Sequence, residues 1–171
     1  MNPASTQSLP NPYHDPLSFK KKMRVPRLSE VLDGTSPQPW DLTAFEMFLE
    51  ANYCGEILQF TTEVASYKWY YDVKSSCSTA KTEDGNPSTL SIVFEKIIQT
   101  FIEPDSEREI NIPGDVRGYL LSLRNSPNPP DPAVFDGACN MMYDLMAGLF
   151  VEFLKWRPSD RLSLPGMSST K

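Results

Sequence analysis

The side chains that could make or break bonds are few, and their spacing does not organise them. The single histidine, His14, sits among prolines near the start of the chain. No hydrophobic period surrounds it, so no rigid scaffold is expected to hold it against a serine or cysteine nucleophile. Neither a GxxxxGK(S/T) phosphate loop nor GxGxxG occurs. Cys54, Cys77 and Cys139 form no CxxC pair, and with one histidine they supply no zinc ligand set. The acidic neighbours Glu107 and Glu109 read as a solvated loop. The expected inventory is therefore no catalytic residue, no metal, no cofactor and no small-molecule substrate. What remains is polar surface chemistry. Asn111, just ahead of Pro113 and Gly114, reads from its neighbours as a side chain that bonds its own backbone in a turn.

Helices must carry these groups. Leu42 to Tyr71 reads as two amphipathic helices joined at one short polar break. In the first, Leu42, Phe45, Phe48 and Leu49 share a face; in the second, Phe60, Val64, Tyr67 and Tyr71 do. A short helix is predicted over Leu28 to Leu32, capped by Ser29 and stopped by Asp33 and Gly34. Residues 73–88 are rich in Ser with Gly85 and Pro87, and read as a mobile loop. Leu90, Val93, Phe94, Ile97, Ile98, Phe101 and Ile102 then form a wide stripe that Pro104 ends. An acidic connector, 105–115, leads to a helix bearing Val116, Tyr119, Leu120 and Leu123, with Asp115 placed to cap it. The proline-rich run 126–132 forbids helix. A last helix is expected from about Ala133 to Leu154, with Ala138, Met142, Leu145, Leu149 and Phe153 on one face. Helices without alternating strand patterns predict an all-α domain.

The chain has 171 residues and a formal charge of -6, enough for one core plus tails. Residues 1–29 carry Lys20, Lys21, Lys22, Arg24 and Arg27 against Asp15, a balance of +4 that leaves -10 for the rest. An acidic domain behind a basic leader is a poor nucleic-acid binder, so a partner with a basic patch is expected. Residues 1–27 hold five prolines and read as a disordered arm, and residues 158–171 as a disordered tail. The basic run is either a solvated tail, a localisation signal, or a contact for an anionic membrane at about 1 kcal/mol per cation. An odd cysteine count fits a reducing compartment, and no apolar run reaches membrane-span length. The leader lacks the apolar core of a signal peptide. Together these predict a soluble cytoplasmic protein, peripheral to the inner face of the plasma membrane if the arm engages lipid.

The order Phe45, Phe48-Leu49, Glu56, Leu58, Phe60 and Tyr67-Lys68 resembles the opening of a regulator of G-protein signalling (RGS) domain. The resemblance runs from about Leu28 to Lys155. It takes in the INI step at Ile110 to Ile112, the PxxFD start at Pro132 to Asp136, and the YDLM and EFLK strings at Tyr143 and Glu152. It is nearest the divergent RGS domains of filamentous fungi. The resemblance implies an RGS-like domain over residues 28–157, with a central helix bundle packed on a subdomain made by the N- and C-terminal helices. It also implies catalysis at second hand. Such a domain binds a GTP-bound G-protein alpha subunit and speeds hydrolysis by holding its switch segments, without contributing an arginine finger.

Three surface segments carry that role in the family. The first matches Cys54 to Ile57, where Glu56 is kept and Ile57 replaces an asparagine. The second is the connector, where Asn111 matches the asparagine that reaches the switch region; a carboxamide donates and accepts without a charge to desolvate. In the third, Leu145 matches an interface leucine, while Leu149 and Glu152 stand in place of an acid and an arginine. Each has a plainer reading: Glu56 as a first-turn acid favoured by the helix dipole, Leu145 as core. The substitutions at Ile57 and Glu152 leave a second function open, a non-activating interaction or scaffold module on the same fold.

Overall fold

The computed structural model describes residues 24–156 apart from 77–88, 125 and 127. The described residues form six α-helices: α1 (Leu28–Leu32), α2 (Leu42–Ala51), α3 (Gly55–Ser76), α4 (Thr89–Ile97), α5 (Gly114–Ser122) and α6 (Asp136–Phe153). A π-helical turn, Ile98–Ile102, prolongs α4, and a 3-10 turn, Pro132–Phe135, precedes α6. The domain is all-α, as the periodicities require, and there is no strand among the described residues.

The long helix α3 spans about 33 Å at 1.5 Å per residue and packs against α4, α6 and the 3-10 turn. Its buried face, Phe60, Val64 and Tyr67, meets an aromatic cluster. The Phe60 ring lies 5.7 Å from Phe101 and 6.1 Å from Phe135, and Tyr67 lies 5.9 Å from Phe135. The Tyr67 hydroxyl donates to the Pro130 carbonyl, which ties the proline-rich run to the core. Burial, reinforced by Tyr71 and Asp131, pushes that phenol far above its ordinary range.

A second layer joins the two ends of the described chain. On α2, Phe45 stacks near Phe48 and meets Phe150 and Phe153 of α6, at 6.0 and 5.0 Å. Phe48 meets Phe153 and Trp156, both at 5.6 Å, and α1 packs on α2. The expected subdomain of N- and C-terminal helices is thus present. Asp41 caps α2 by accepting from the Ala44 N–H at 2.8 Å, a bond that contributes about 1 kcal/mol.

Several boundaries differ from expectation. Ser29 does not cap α1. The cap position is Arg27, because Glu30 reaches back to the Arg27 N–H at 2.7 Å while also binding the Arg24 guanidinium. These bonds, the one from the Arg27 backbone first, lower the Glu30 pKa. Asp115 does not cap α5 either: Pro113 holds the cap position, and Asp115 lies within the first turn. Residues 73–76, read as loop, complete the last turn of α3, and 77–88 lie outside the described residues. On α6 the buried stripe is Ala138, Met142, Met146, Phe150 and Phe153. Met146 and Phe150 replace the expected Leu145 and Leu149, since Phe150 is the side chain that meets the Phe45 ring.

Candidate functional site

The turn between α2 and α3 is short because its backbone bonds close it tightly. The Cys54 N–H donates to the Leu49 carbonyl at 2.9 Å, and the Asn52 side-chain amide donates to the Phe48 carbonyl at 2.7 Å. The residue between them, Tyr53, has φ +56 and is 90% exposed. A bulky residue in the left-handed region costs about 1 kcal/mol or more, and here the phenol ring reaches solvent instead of the core. Gly55 opens α3, where an added Cβ would fall 2.2 Å from the Glu50 Oε1, so the Glu50 carboxylate occupies the space a side chain would take.

Glu56 follows, partly exposed in the first turn of α3. Ile57 is only 4% exposed. Its matched position was expected at the interface, yet its side chain belongs to the core, where an aliphatic group is stabilised by burial. The Cys54 thiol is pushed up by burial and then by the Glu56 carboxylate.

The connector from Glu103 to Pro113 is extended at its end, so successive side chains alternate. Ile110 and Ile112 are buried and Asn111 between them is exposed. Arg117 of α5 holds this strip in place. Its guanidinium donates to the Ile102 carbonyl and to the Ile110 carbonyl at 3.0 Å, and pairs with Glu109 at 2.8 Å. The Ile110 N–H donates to the Phe101 carbonyl at 2.9 Å. Glu109 is consequently no solvated loop acid; its second oxygen accepts the N–H of Asp105, which has φ +62. The Asn111 side chain makes no hydrogen bond among the described residues, so the self-bonded turn reading does not hold.

On α6, Leu145, Leu149 and Glu152 are spaced by four and three and share one stripe. Leu145 is 48% exposed, against its plainer reading as core. Leu149 is half-buried, and Glu152 is exposed and pairs with Lys155 at 2.8 Å.

The last turn of α2 touches the connector, the start of α3 and the end of α6. Glu50 pairs with Arg108 of the connector at 3.4 Å beside Gly55, and Phe48 packs against Phe153 and Trp156 at the end of α6. No hydrogen bond or ion pair links Glu56, Asn111 and Glu152 directly among the described residues. Arg117 fixes the strip that carries Asn111, and Tyr53, Glu50, Arg108 and Arg117 carry no signal of their own in the sequence. Of the connector acids, Glu103 pairs with Arg124 and Glu109 with Arg117, while Asp105 and Glu107 are exposed and suit a basic partner. Of the basic run, Arg24 pairs with Glu30 and Arg27 is exposed, while Lys20, Lys21 and Lys22 lie outside the described residues. No group of His, Cys, Asp or Glu among the described residues is arranged to hold a metal ion, and no described helix is long and apolar enough to cross a membrane.

A family model described as the regulator of G protein signaling domain matches residues 35–157. No individual curated protein matches the chain.

Proposed function

The chain belongs to the regulator of G protein signaling domain family, and from that premise we propose that it binds the GTP-bound alpha subunit of a heterotrimeric G protein and accelerates hydrolysis. The observation that carries this reading is Asn111: an exposed carboxamide without an internal partner, on a strip pinned by Ile110, Ile112 and Arg117. Rigid presentation of one neutral donor and acceptor is what stabilising a switch segment requires, because the alpha subunit already holds its own arginine and glutamine. In this reading Glu56 and the exposed Tyr53 of the α2–α3 turn, and Leu145, Leu149 and Glu152 of α6, supply the rest of the contact. The protein itself transfers no group and needs no cofactor.

The basic run adds a peripheral contact with anionic lipid, which would keep the domain beside a membrane-attached partner in the cytoplasm. A non-activating scaffold is the second reading, favoured by Ile57, a buried aliphatic side chain that offers the first segment no polar group, and by the acid Glu152, which pairs at the surface with Lys155. Pull-down of alpha subunits in the GDP, GDP-aluminium fluoride and non-hydrolysable GTP states separates the two. An activator prefers the aluminium fluoride state and shortens single-turnover hydrolysis. Equal binding in all states, or binding without stimulation, would give the scaffold reading its place.

A further inference from the structure

A groove of about 540 Å³ lies between α2 and α3 on one side and α4, its π-helical turn and the connector on the other, a size typical of ligand sites. Its walls differ in sign. Glu46 and Glu50, four residues apart on one face of α2, stand with Glu63 of α3 on one wall, and Lys96 and Arg108 stand on the other. Lys96 pairs with Glu63 at 3.2 Å and Arg108 with Glu50 at 3.4 Å. Four of the five charges are therefore matched. Glu46 is left over, exposed and without a hydrogen bond or ion pair among the described residues, above a floor that includes Leu58 and Phe101.

We propose that this groove docks a short peptide segment carrying Arg or Lys beside an aliphatic or aromatic side chain. The cation sits between Glu46 and Glu50, and its apolar neighbour covers Leu58 and Phe101. Charge complementarity selects this occupant. An anion would have to take Lys96 or Arg108 from existing partners while facing three carboxylates, whereas a cation meets a carboxylate that has no partner. The described residues hold eighteen acids against nine Lys and Arg, so the surrounding field also favours a cation. A guanidinium at Glu50 competes with Arg108, three residues before Asn111, so occupancy is felt at the connector. The inference does not depend on GTPase stimulation and stands or falls separately from it.

The test titrates the ¹⁵N-labelled full chain with the peptide Ac-Leu-Arg-Trp-NH2 and with matched peptides carrying Gln or Glu in place of Arg, followed by amide shifts. The Arg peptide is expected to shift Glu46, Gly55, Gln59 and Thr100 together and to move the Asn111 side-chain amide. The Gln peptide should bind about tenfold more weakly, the worth of one charge-assisted bond. Glu46→Gln, on an exposed position that carries no internal bond, should weaken the Arg peptide by about fivefold without changing the melting temperature. Equal binding of the Gln or Glu peptide, shifts centred elsewhere, indifference to Glu46→Gln, or no saturable shift at millimolar peptide would overturn the proposal.

Discussion

Arg117→Ala isolates the part of the site that makes Asn111 rigid. The Arg117 side chain is 15% exposed, and its guanidinium donates to the Ile102 and Ile110 carbonyls while pairing with Glu109. Truncation leaves two carbonyls without their donor and one carboxylate without its cation. At about 1 to 2 kcal/mol for each lost charge-assisted bond, discounted because Glu109 can turn to water, the cost is about 3 kcal/mol. For a domain of this size that lowers the melting temperature by about 10 °C. The local effect is larger than the global one. Ile110 keeps only its bond to Phe101, so hydrogen exchange at residues 109–112 should accelerate ahead of α3 and α6. Single-turnover stimulation by the folded fraction should fall about 10- to 100-fold, because binding would then have to order the connector. Arg117→Lys keeps the charge but cannot span both carbonyls, and should lie between the two. A melting temperature within about 2 °C of the parent would refute the clamp, as would unchanged exchange at Ile110.

Asn111→Ala should leave melting within about 1 °C, since the side chain bonds nothing, yet reduce stimulation about 5- to 150-fold, as expected for a group used in the transition state; the opposite pattern would make it structural. Glu152→Arg should raise stimulation if the charge at that site limits a weak native activity, and an unchanged rate constant would remove Glu152 from the interface. Glu30 has a folded pKa below its unfolded value, so its contribution is present above about pH 4.5 and is lost as pH falls through the lower, folded value. Glu30→Gln should therefore flatten the acid side of the melting-temperature profile, while an identical profile would assign the acid response to other carboxylates. Lys20, Lys21 and Lys22 changed together to Gln should abolish salt-sensitive binding to vesicles containing phosphatidylserine; binding that persists would remove the electrostatic account of the arm.

The helices were legible because their apolar faces repeat at a period that water imposes: Phe45, Phe48 and Leu49 are buried, as are Phe60, Val64 and Tyr67. Where two adjacent stripes are both apolar, periodicity does not choose between them. On α6, Leu145 and Leu149 competed with Met146 and Phe150, and the choice was made by rings on α2 that are about a hundred residues away in sequence. Ile57 shows a related limit. A residue matched by position to a surface asparagine was assigned that surface, although its own aliphatic side chain favours burial and is buried. The connector shows the other limit. Its Ile-Asn-Ile alternation was visible, but the brace came from Arg117, whose partners are two backbone carbonyls and one acid, and backbone acceptors leave no mark in a sequence.

That distribution fits a surface that works by staying still. Under the proposed function, a partner that speeds hydrolysis by holding switch segments works best through groups already fixed where the transition state needs them, because any ordering on binding subtracts from the stabilisation. The described site has such fixing at each segment: bonded carbonyls close the α2–α3 turn, Arg117 pins Ile110, and Phe48 meets Phe153 and Trp156 behind the α6 stripe. The last turn of α2 joins all three, through Glu50 to Arg108 and Gly55 and through Phe48 to α6. Gly55 matters for the same reason. A Cβ there would displace the end of the Glu50 side chain, a flexible group whose movement costs the core little but releases Arg108. Gly55→Ala would thus keep the fold and loosen the joint between turn and connector, separating rigidity of the surface from stability of the domain.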